Sequence, residues 1–270
     1  MNTNPITPIQ ITPEAHLISS FWKQPGAPVG VGFNTMVLAS REPVVFDTGV
    51  DADRDGWLAA VSSVVEPEDV RWIVLTHDDH DHTGNLVAAL DAFPNATAVT
   101  HWWLTERLLG TLELDPRRQR WVAHGETLDI GDRTLVFERP PIFDSPATRA
   151  VFDPTTGLYW GGDVGGALGP EPITFAEDAP VDEHAESFRT VHKLVSPWTE
   201  LVDQHRYQAT VDRLAGFGIR TWASTHGPVY RGRFVDHALD LLRQVPDAPT
   251  PETPGQADLD AIVASMLATV

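Results

Sequence analysis

The chain has no cysteine among its 270 residues. That absence removes a disulfide framework, a thiolate zinc site, an iron–sulfur cluster and a cysteine nucleophile together, leaving only nitrogen and oxygen donors for any metal. Basic residues are also scarce, with 19 Lys plus Arg against 38 Asp plus Glu and a formal charge of −19. Neither nucleic acid nor an anionic membrane surface is therefore an expected partner. No apolar run approaches the roughly 18 residues of a membrane span, and residues 1–20 hold neither a basic nor an apolar leader segment. A cytoplasmic protein is the expectation. A phosphate-binding loop is missing too, because Gly161-Gly162 and Gly165-Gly166 lack a Lys at the required spacing. So is the Gly-x-Ser-x-Gly elbow of the commonest serine hydrolases.

What is present is 42% hydrophobic and 9% aromatic, enough to bury a substantial core. Short apolar stretches at 29–38, 43–46, 72–76, 96–100, 127–130, 134–137, 149–152, 158–160 and 219–223 read as strands. Helical patterns lie at 53–64, 85–93, 104–109, 186–195, 200–216 and 234–245. The class is α/β with hairpins, in one domain over 1–245. Residues 246–255 turn Pro- and Thr-rich, and a helix-like segment at 258–267 follows. The 246–270 segment reads as a linker and a terminal helix that docks or swaps, so a homodimer is expected.

The densest chemistry lies at 76–85, Thr-His-Asp-Asp-His-Asp-His-Thr-Gly-Asn, directly after the apolar run at 72–75. A buried strand ending in such a loop, followed by Gly84 and the helical spacing of Leu86, Val87, Leu90 and Phe93, gathers several donors at one point. Imidazole and carboxylate together suit zinc, iron or manganese. Taken singly, His and Asp are also ordinary capping and loop residues. Three further segments repeat the pattern of an apolar strand that stops at a ligand-type residue. They are Phe143-Asp144-Ser145-Pro146, Trp160-Gly161-Gly162-Asp163, and the run at 222–228 that contains Thr225-His226-Gly227-Pro228.

In that order, Thr76-His77-x-Asp79-x-Asp81-His82-x-Gly84, Gly162-Asp163 and Ser224-Thr225-His226-Gly227-Pro228 resemble the metallo-β-lactamase superfamily. Val45-Phe46-Asp47-Thr48-Gly49 resembles its second-strand signature, and the similarity spans about residues 14–245. The resemblance implies an αββα sandwich, two mixed β-sheets flanked by helices, with a dinuclear metal site at one sheet edge. Within that superfamily the hydrolytic pattern is His-x-His-x-Asp-His, whereas Asp79 stands at the second position here. The flavodiiron and oxygen-binding di-iron branch, with its acidic residue at that position, is the more similar pattern. No histidine occupies the superfamily's usual third position, and alignment on Pro146 and Asp153 puts Asp144 there.

The resemblance implies His77, Asp79 and Asp144 on one metal, Asp81, His82 and His226 on the other, and Asp163 between them. Four carboxylates would supply a charge of about −4, which favours iron or manganese over zinc and stabilises an oxidised metal. The expected function is a non-haem di-iron protein that binds or reduces O2, NO or peroxide, or oxidises a small substrate. No flavodoxin module is read after residue 245, so electrons are expected from an external donor. Two alternatives remain: a di-metal hydrolase of an ester, lactone or phosphate, and a degenerate mono-metal or metal-free binding protein.

Around these residues, His80 reads as a proton donor at the mouth of the site, or more simply as a loop histidine facing solvent or bonding the backbone. Asp78 has the same status and could orient an imidazole. His101, Trp102, Trp103, Trp198 and Tyr230 are candidate cleft walls that are more often core residues. His184, His192, His205 and His237 read as surface or packing residues, and Asp47 as support for the metal loops.

Overall fold

In the computed structural model, which describes residues 6–24 and 26–268, the central strands carry apolar residues on both faces because both of their faces are covered. The first sheet runs in spatial order β1 (Ile9–Gln10), β2 (Ala15–Trp22), β3 (Val31–Leu38), β4 (Val44–Phe46), β5 (Trp72–Val74), β6 (Thr97–Thr100) and β7 (Gln119–Trp121). Its first half is antiparallel, while β4, β5, β6 and β7 run parallel. The second sheet holds β8 (Thr127–Asp129), β9 (Thr134–Glu138), β10 (Ala150–Asp153), β11 (Leu158–Trp160), β12 (Thr221–Ala223) and β13 (Tyr230–Arg231). There, only β11 and β12 pair in parallel.

Side-chain alternation assigns each strand residue to a layer. Val44, Phe46, Val74 and Val99 from the first sheet meet Phe137, Val151, Trp160 and Ala223 from the second in a core between the sheets. The intervening Val45, Ile73 and Ala98 point outward onto Trp57, Val61, Leu86 and Phe93. On the opposite outer face, Tyr159 and Trp222 pack against Phe188, Val211 and Leu239. Burial on both faces explains why these strands read as continuous apolar runs.

The helices α1 (Arg54–Ser62), α2 (His80–Thr83), α3 (Leu86–Ala92) and α4 (Trp102–Leu108) belong to the first sheet's half of the chain. Helices α5 (Val181–Val195), α6 (Gln204–Ala215) and α7 (Arg233–Gln244) cover the second sheet. A further helix, α8 (Gln256–Ala268), follows the Pro-rich stretch and leaves Leu259, Val263 and Leu267 exposed. Among the described residues no helix is long and apolar enough to cross a membrane. The αββα sandwich of two mixed sheets expected from the sequence is the fold observed.

Several elements differ from the sequence reading. Strand β2 carries no clear strand signal in the sequence because His16, Ser19, Ser20 and an exposed Trp22 interrupt its apolar alternation. Edge strands β7 and β13 are only three and two residues long, too short for a periodic signal. Helix α5 begins five residues before the expected 186, with Asp182 and Glu183 in its first turn where they favour the helix dipole. Tyr230 lies fully buried in the second sheet and does not wall a cleft.

Candidate metal centre

The C-terminal ends of β4, β5, β11 and β12 open onto one sheet edge, and the loop between β9 and β10 joins them. Asp47, just past β4, has φ 56 and is the one non-glycine residue with a positive φ among the described residues. Asp tolerates this region better than most side chains. The conformation brings its carboxylate to the start of the 76–85 loop. Thr76 N–H donates to Asp47 Oδ1 at 2.8 Å, the Thr76 hydroxyl lies within 3.0 Å of both carboxylate oxygens, and Trp160 Nε1–H donates to Oδ2 at 3.0 Å. Asp47 thus supports the loop as the sequence reading expected.

The same anchor orients two imidazoles. His77 Nδ1 lies 3.2 Å and His82 Nδ1 3.1 Å from Thr76 Oγ1, and His82 Nδ1 is also 3.1 Å from Asp47 Oδ2. Asp47 can only accept, so the Thr76 proton goes to it and both rings carry their proton on Nδ1. His226 follows the same rule, since its Nδ1–H donates to Gly32 O at 2.8 Å. All three rings therefore turn an Nε2 lone pair inward.

What those lone pairs meet is a set of carboxylate oxygens. Asp163 Oδ2 is 3.5 Å from His77 Nε2, while Asp163 Oδ1 is 3.0 Å from His82 Nε2 and 3.4 Å from His226 Nε2. Asp79 Oδ2 and Asp144 Oδ1 lie 3.9 and 3.8 Å from His77 Nε2. Asp81 Oδ2 lies 3.0 Å from His226 Nε2 and 3.6 Å from His82 Nε2. The structure brings all seven residues singled out in the sequence into one cluster. His77 Nε2, His82 Nε2 and Asp163 Oδ1 are nevertheless buried without a hydrogen-bond partner.

Buried, unpartnered lone pairs facing carboxylates at such spacing are unfavourable unless a cation sits among them. Donors about 2.0–2.2 Å from a common ion lie about 3–3.5 Å from one another; four of the separations here, 3.0–3.5 Å, fall in that range, and the other three are 3.6–3.9 Å. Three overlapping groups have ligand atoms within 4.8 Å of one another: His77 with His82 and Asp163, Asp81 with His82 and His226, and His77 with Asp79 and Asp144.

Without a cation, protons are the available substitute. Burial opposes charging His82, yet the carboxylates of Asp47 and Asp163 hold its pKa well above the usual imidazole value. His226 is likewise raised against burial by Asp163 and Asp81. Burial would raise Asp81, but His226 and His82 more than offset it and hold the carboxyl at about 2. Asp163, largely buried, is held far below the carboxylate range by His77, His82 and His226 against the effect of its burial. Asp79 goes the other way, raised chiefly by burial against the pull of His77. Its side chain is still 51% exposed at the mouth of the cluster.

Close backbone packing makes the site specific to glycine at two points. A Cβ on Gly84 would lie 2.7 Å from Gly49 O and 2.8 Å from His80 O, and one on Gly227 would lie 2.0 Å from Gly165 O. Either side chain would push a ligand loop off its strand end.

The neighbours of the cluster depart from the sequence reading. Asp78 orients no imidazole: its Oδ1 accepts from Ser145 Oγ at 2.5 Å and Oδ2 pairs with Arg107. His80 is exposed, but it bonds the Asp51 carboxylate at 3.0 Å and not the backbone. His101 caps α4 by accepting from Trp103 N–H, and Trp198 Nε1–H donates to Phe143 O, beside Asp144. His192, expected as a packing residue, is buried and its Nε2 accepts from Gly165 N–H at 3.0 Å. Thr76, Ser145 and Arg107 were not singled out in the sequence. Ser145 had a local signal, its place next to Asp144; Arg107, on α4, had none.

Similarity to known proteins agrees with this architecture. The sequence is 23% identical over 222 residues to the putative diflavin flavoprotein A 1 of Nostoc sp., covering 79% of this chain and 37% of that protein. It is 23% identical over 210 residues to the rubredoxin-oxygen oxidoreductase of Megalodesulfovibrio gigas, covering 76% and 51%. The chain spans about half the length, or less, of these curated relatives. Among solved structures, the rubredoxin oxygen:oxidoreductase from Desulfovibrio gigas superposes with a TM-score of 0.78 at 20% identity, covering 89% of this chain and 62% of that one. The flavodiiron protein from Giardia intestinalis superposes with a TM-score of 0.73 at 18% identity, covering 91% and 60%. Residues 33–227, most of the sandwich and every donor in the cluster, match the ODP family beta lactamase, and the chain belongs to that family.

Proposed function

We propose that this chain holds two iron ions and acts on O2, NO or a peroxide with electrons from an external donor. His77, Asp79 and Asp144 would hold one ion, Asp81, His82 and His226 the other, and Asp163 would serve both. The observation that carries this is the divided Asp163 carboxylate, with Oδ2 turned to His77 and Oδ1 to His82 and His226. Hard oxygen donors outnumber imidazoles four to three in that set, a composition that favours iron or manganese over zinc.

When bound, a di-iron pair would supply one-electron redox chemistry and open positions for a small ligand. The chain's own residues prepare that chemistry. Asp47 and Thr76 fix the tautomers of His77 and His82, and Gly32 O fixes that of His226, so three lone pairs are presented without rearrangement. Asp79, half-exposed at the mouth, is the acidic group that an incoming electron donor would meet first. The names of the relatives support this reading, since they include a rubredoxin-oxygen oxidoreductase and a nitric oxide reductase.

Elemental analysis with Mössbauer or EPR spectroscopy on protein expressed with iron available tests the proposal. Close to two irons per chain, and a near-ultraviolet to visible band that develops when the reduced protein meets air, are expected. Stoichiometric zinc without a redox response would replace the proposal with the hydrolase.

A further inference from the structure

The segment between β9 and β10 and the start of α6 border an open cleft of about 640 Å³, the size of an organic ligand site and far larger than an inorganic ion needs. Its apolar surfaces come from buried Pro140, Pro141 and Tyr207 and from half-buried Phe143 and Trp198. The Tyr207 hydroxyl is committed to Leu242 O at 2.7 Å, which leaves its ring for contact. The Phe143 and Trp198 rings lie 4.9 Å apart at 39°, and Trp198 Nε1–H donates to Phe143 O at 2.9 Å. Trp198, a candidate cleft wall in the sequence, is a wall here with its ring held in orientation.

The charge of this cleft opposes that of the chain. Three guanidinium groups line it, those of Arg139, Arg206 and Arg213, in a protein of formal charge −19. Arg213 is neutralised by Glu138 at 2.5 Å. The Arg139 and Arg206 guanidinium groups make no ion pair or hydrogen bond among the described residues, and Arg139 lies over the Phe143 ring, 5.8 Å from its centre. Asp203 is the one carboxylate in the lining among the described residues, and its Oδ1 caps α6 by accepting from Arg206 N–H at 2.9 Å. Two unpaired guanidinium forks beside aromatic walls select a ligand with two matching features. The forks favour a carboxylate or phosphate in bidentate geometry, and the rings favour a planar apolar partner. A bare inorganic anion would leave the aromatic walls wet, and a neutral ring would gain nothing from the guanidinium groups.

We propose that this cleft binds a planar aromatic anion, a ring carrying a carboxylate or a phosphate, with Trp198, Phe143 and Tyr207 against the ring and Arg139 and Arg206 on the charge. Binding there requires neither iron nor zinc in the cluster. The cleft nevertheless borders the metal loops. Phe143 immediately precedes Asp144, and its carbonyl accepts from both the Ser196 hydroxyl, at 3.1 Å, and Trp198 Nε1–H. A ring bound against Phe143 and Trp198 therefore rests on the segment that carries a candidate ligand.

Calorimetric titration of the full chain with 1-naphthoate and with 1-naphthyl phosphate, as purified and after metal removal, should give one binding event per chain in both preparations. The tighter of the two acids identifies the anion. Naphthol, which lacks the charge, and acetate and inorganic phosphate, which lack the ring, should each bind at least about tenfold more weakly. Arg139 and Arg206 are exposed, so Arg139→Ala and Arg206→Ala should keep the thermal midpoint while each weakens the tighter acid about tenfold. Arg206→Lys should recover only part of that loss. Equal affinity for naphthol would remove the guanidinium groups from the site, and equal affinity for acetate or inorganic phosphate would reduce it to a patch of positive charge; either result overturns the proposal. So would failure of both acids to bind, binding that disappears with the metal, or affinity unchanged in both alanine variants. Crystals soaked with the tighter acid should hold its ring against Trp198 and its anion at Arg139 and Arg206, and a ligand found only on the Asp163 cluster would contradict the assignment.

Discussion

The Asp78 carboxylate accepts a 2.5 Å hydrogen bond from the Ser145 hydroxyl across 67 residues of sequence. Each partner neighbours a candidate ligand, Asp78 preceding Asp79 and Ser145 following Asp144. Arg107, from α4, pairs with the other Asp78 oxygen, and the Asp78 side chain is only 5% exposed. The bond ties the two loops that bring Asp79 and Asp144 to His77. Ser145→Ala should therefore weaken the metal on the His77 side about tenfold and leave the other unchanged, as read by ferrous or cobalt titration. Ser145→Thr, which keeps the hydroxyl, should recover most of the affinity. Equal weakening at both sites would mean that Ser145 acts on the fold and not on the loop pair.

Asp47 holds the loop on the His82 side of the cluster. Asn tolerates the positive φ of this position and nearly matches the volume, so Asp47→Asn removes the charge while sparing the backbone. Affinity for metal should fall about 10–100-fold, because His82 loses the acceptor that fixes its tautomer. Circular dichroism should stay native. Unaltered affinity would separate Asp47 from the centre.

Metal uptake should displace protons. His82 and His226 have raised pKa values in the metal-free cluster, so both retain protons further into the neutral range than ordinary imidazoles. Binding requires the neutral ring. Calorimetric titration at pH 7 in buffers of different ionisation enthalpy should show net proton release, diminishing as pH rises. Heats independent of buffer would contradict the electrostatics of the site.

His192 predicts an acid limit to stability. Burial lowers its pKa from 6.5 to about 4, so the unfolded chain binds this proton more readily than the folded one between those values. Its contribution is fully present above pH 6.5 and is lost as pH falls toward 4, amounting to about 3 kcal/mol. Denaturant midpoints of wild type and His192→Gln at matched metal content should converge as the pH drops. A parallel offset across that range would show that the imidazole does not titrate with unfolding.

The cluster residues other than Asp144 were legible because each follows a short apolar strand, a local pattern that needs no partner to be seen; Asp144, expected at a strand end, lies instead in the loop between β9 and β10. His77, Asp79, Asp81 and His82 follow β5, Asp163 follows β11, and His226 follows β12. The order of these strand ends, set against a family pattern, also supplied the sandwich. Partners far apart in sequence were not legible. Nothing near Asp78 pointed to Ser145 or Arg107 over a homologous imidazole, and nothing in α5 marked His192 as an acceptor for Gly165 N–H. Strand β2 was lost for a related reason: its polar residues are accommodated by antiparallel pairing with β3, which only the sheet reveals.

Anomalous diffraction at the iron and zinc edges, on crystals of protein grown with both metals available, tests the central claim most directly. Two iron peaks are expected, one among His77, Asp79 and Asp144, the other among Asp81, His82 and His226, with an Asp163 oxygen on each. A single peak, or two peaks that appear at the zinc edge and not the iron edge, would contradict it.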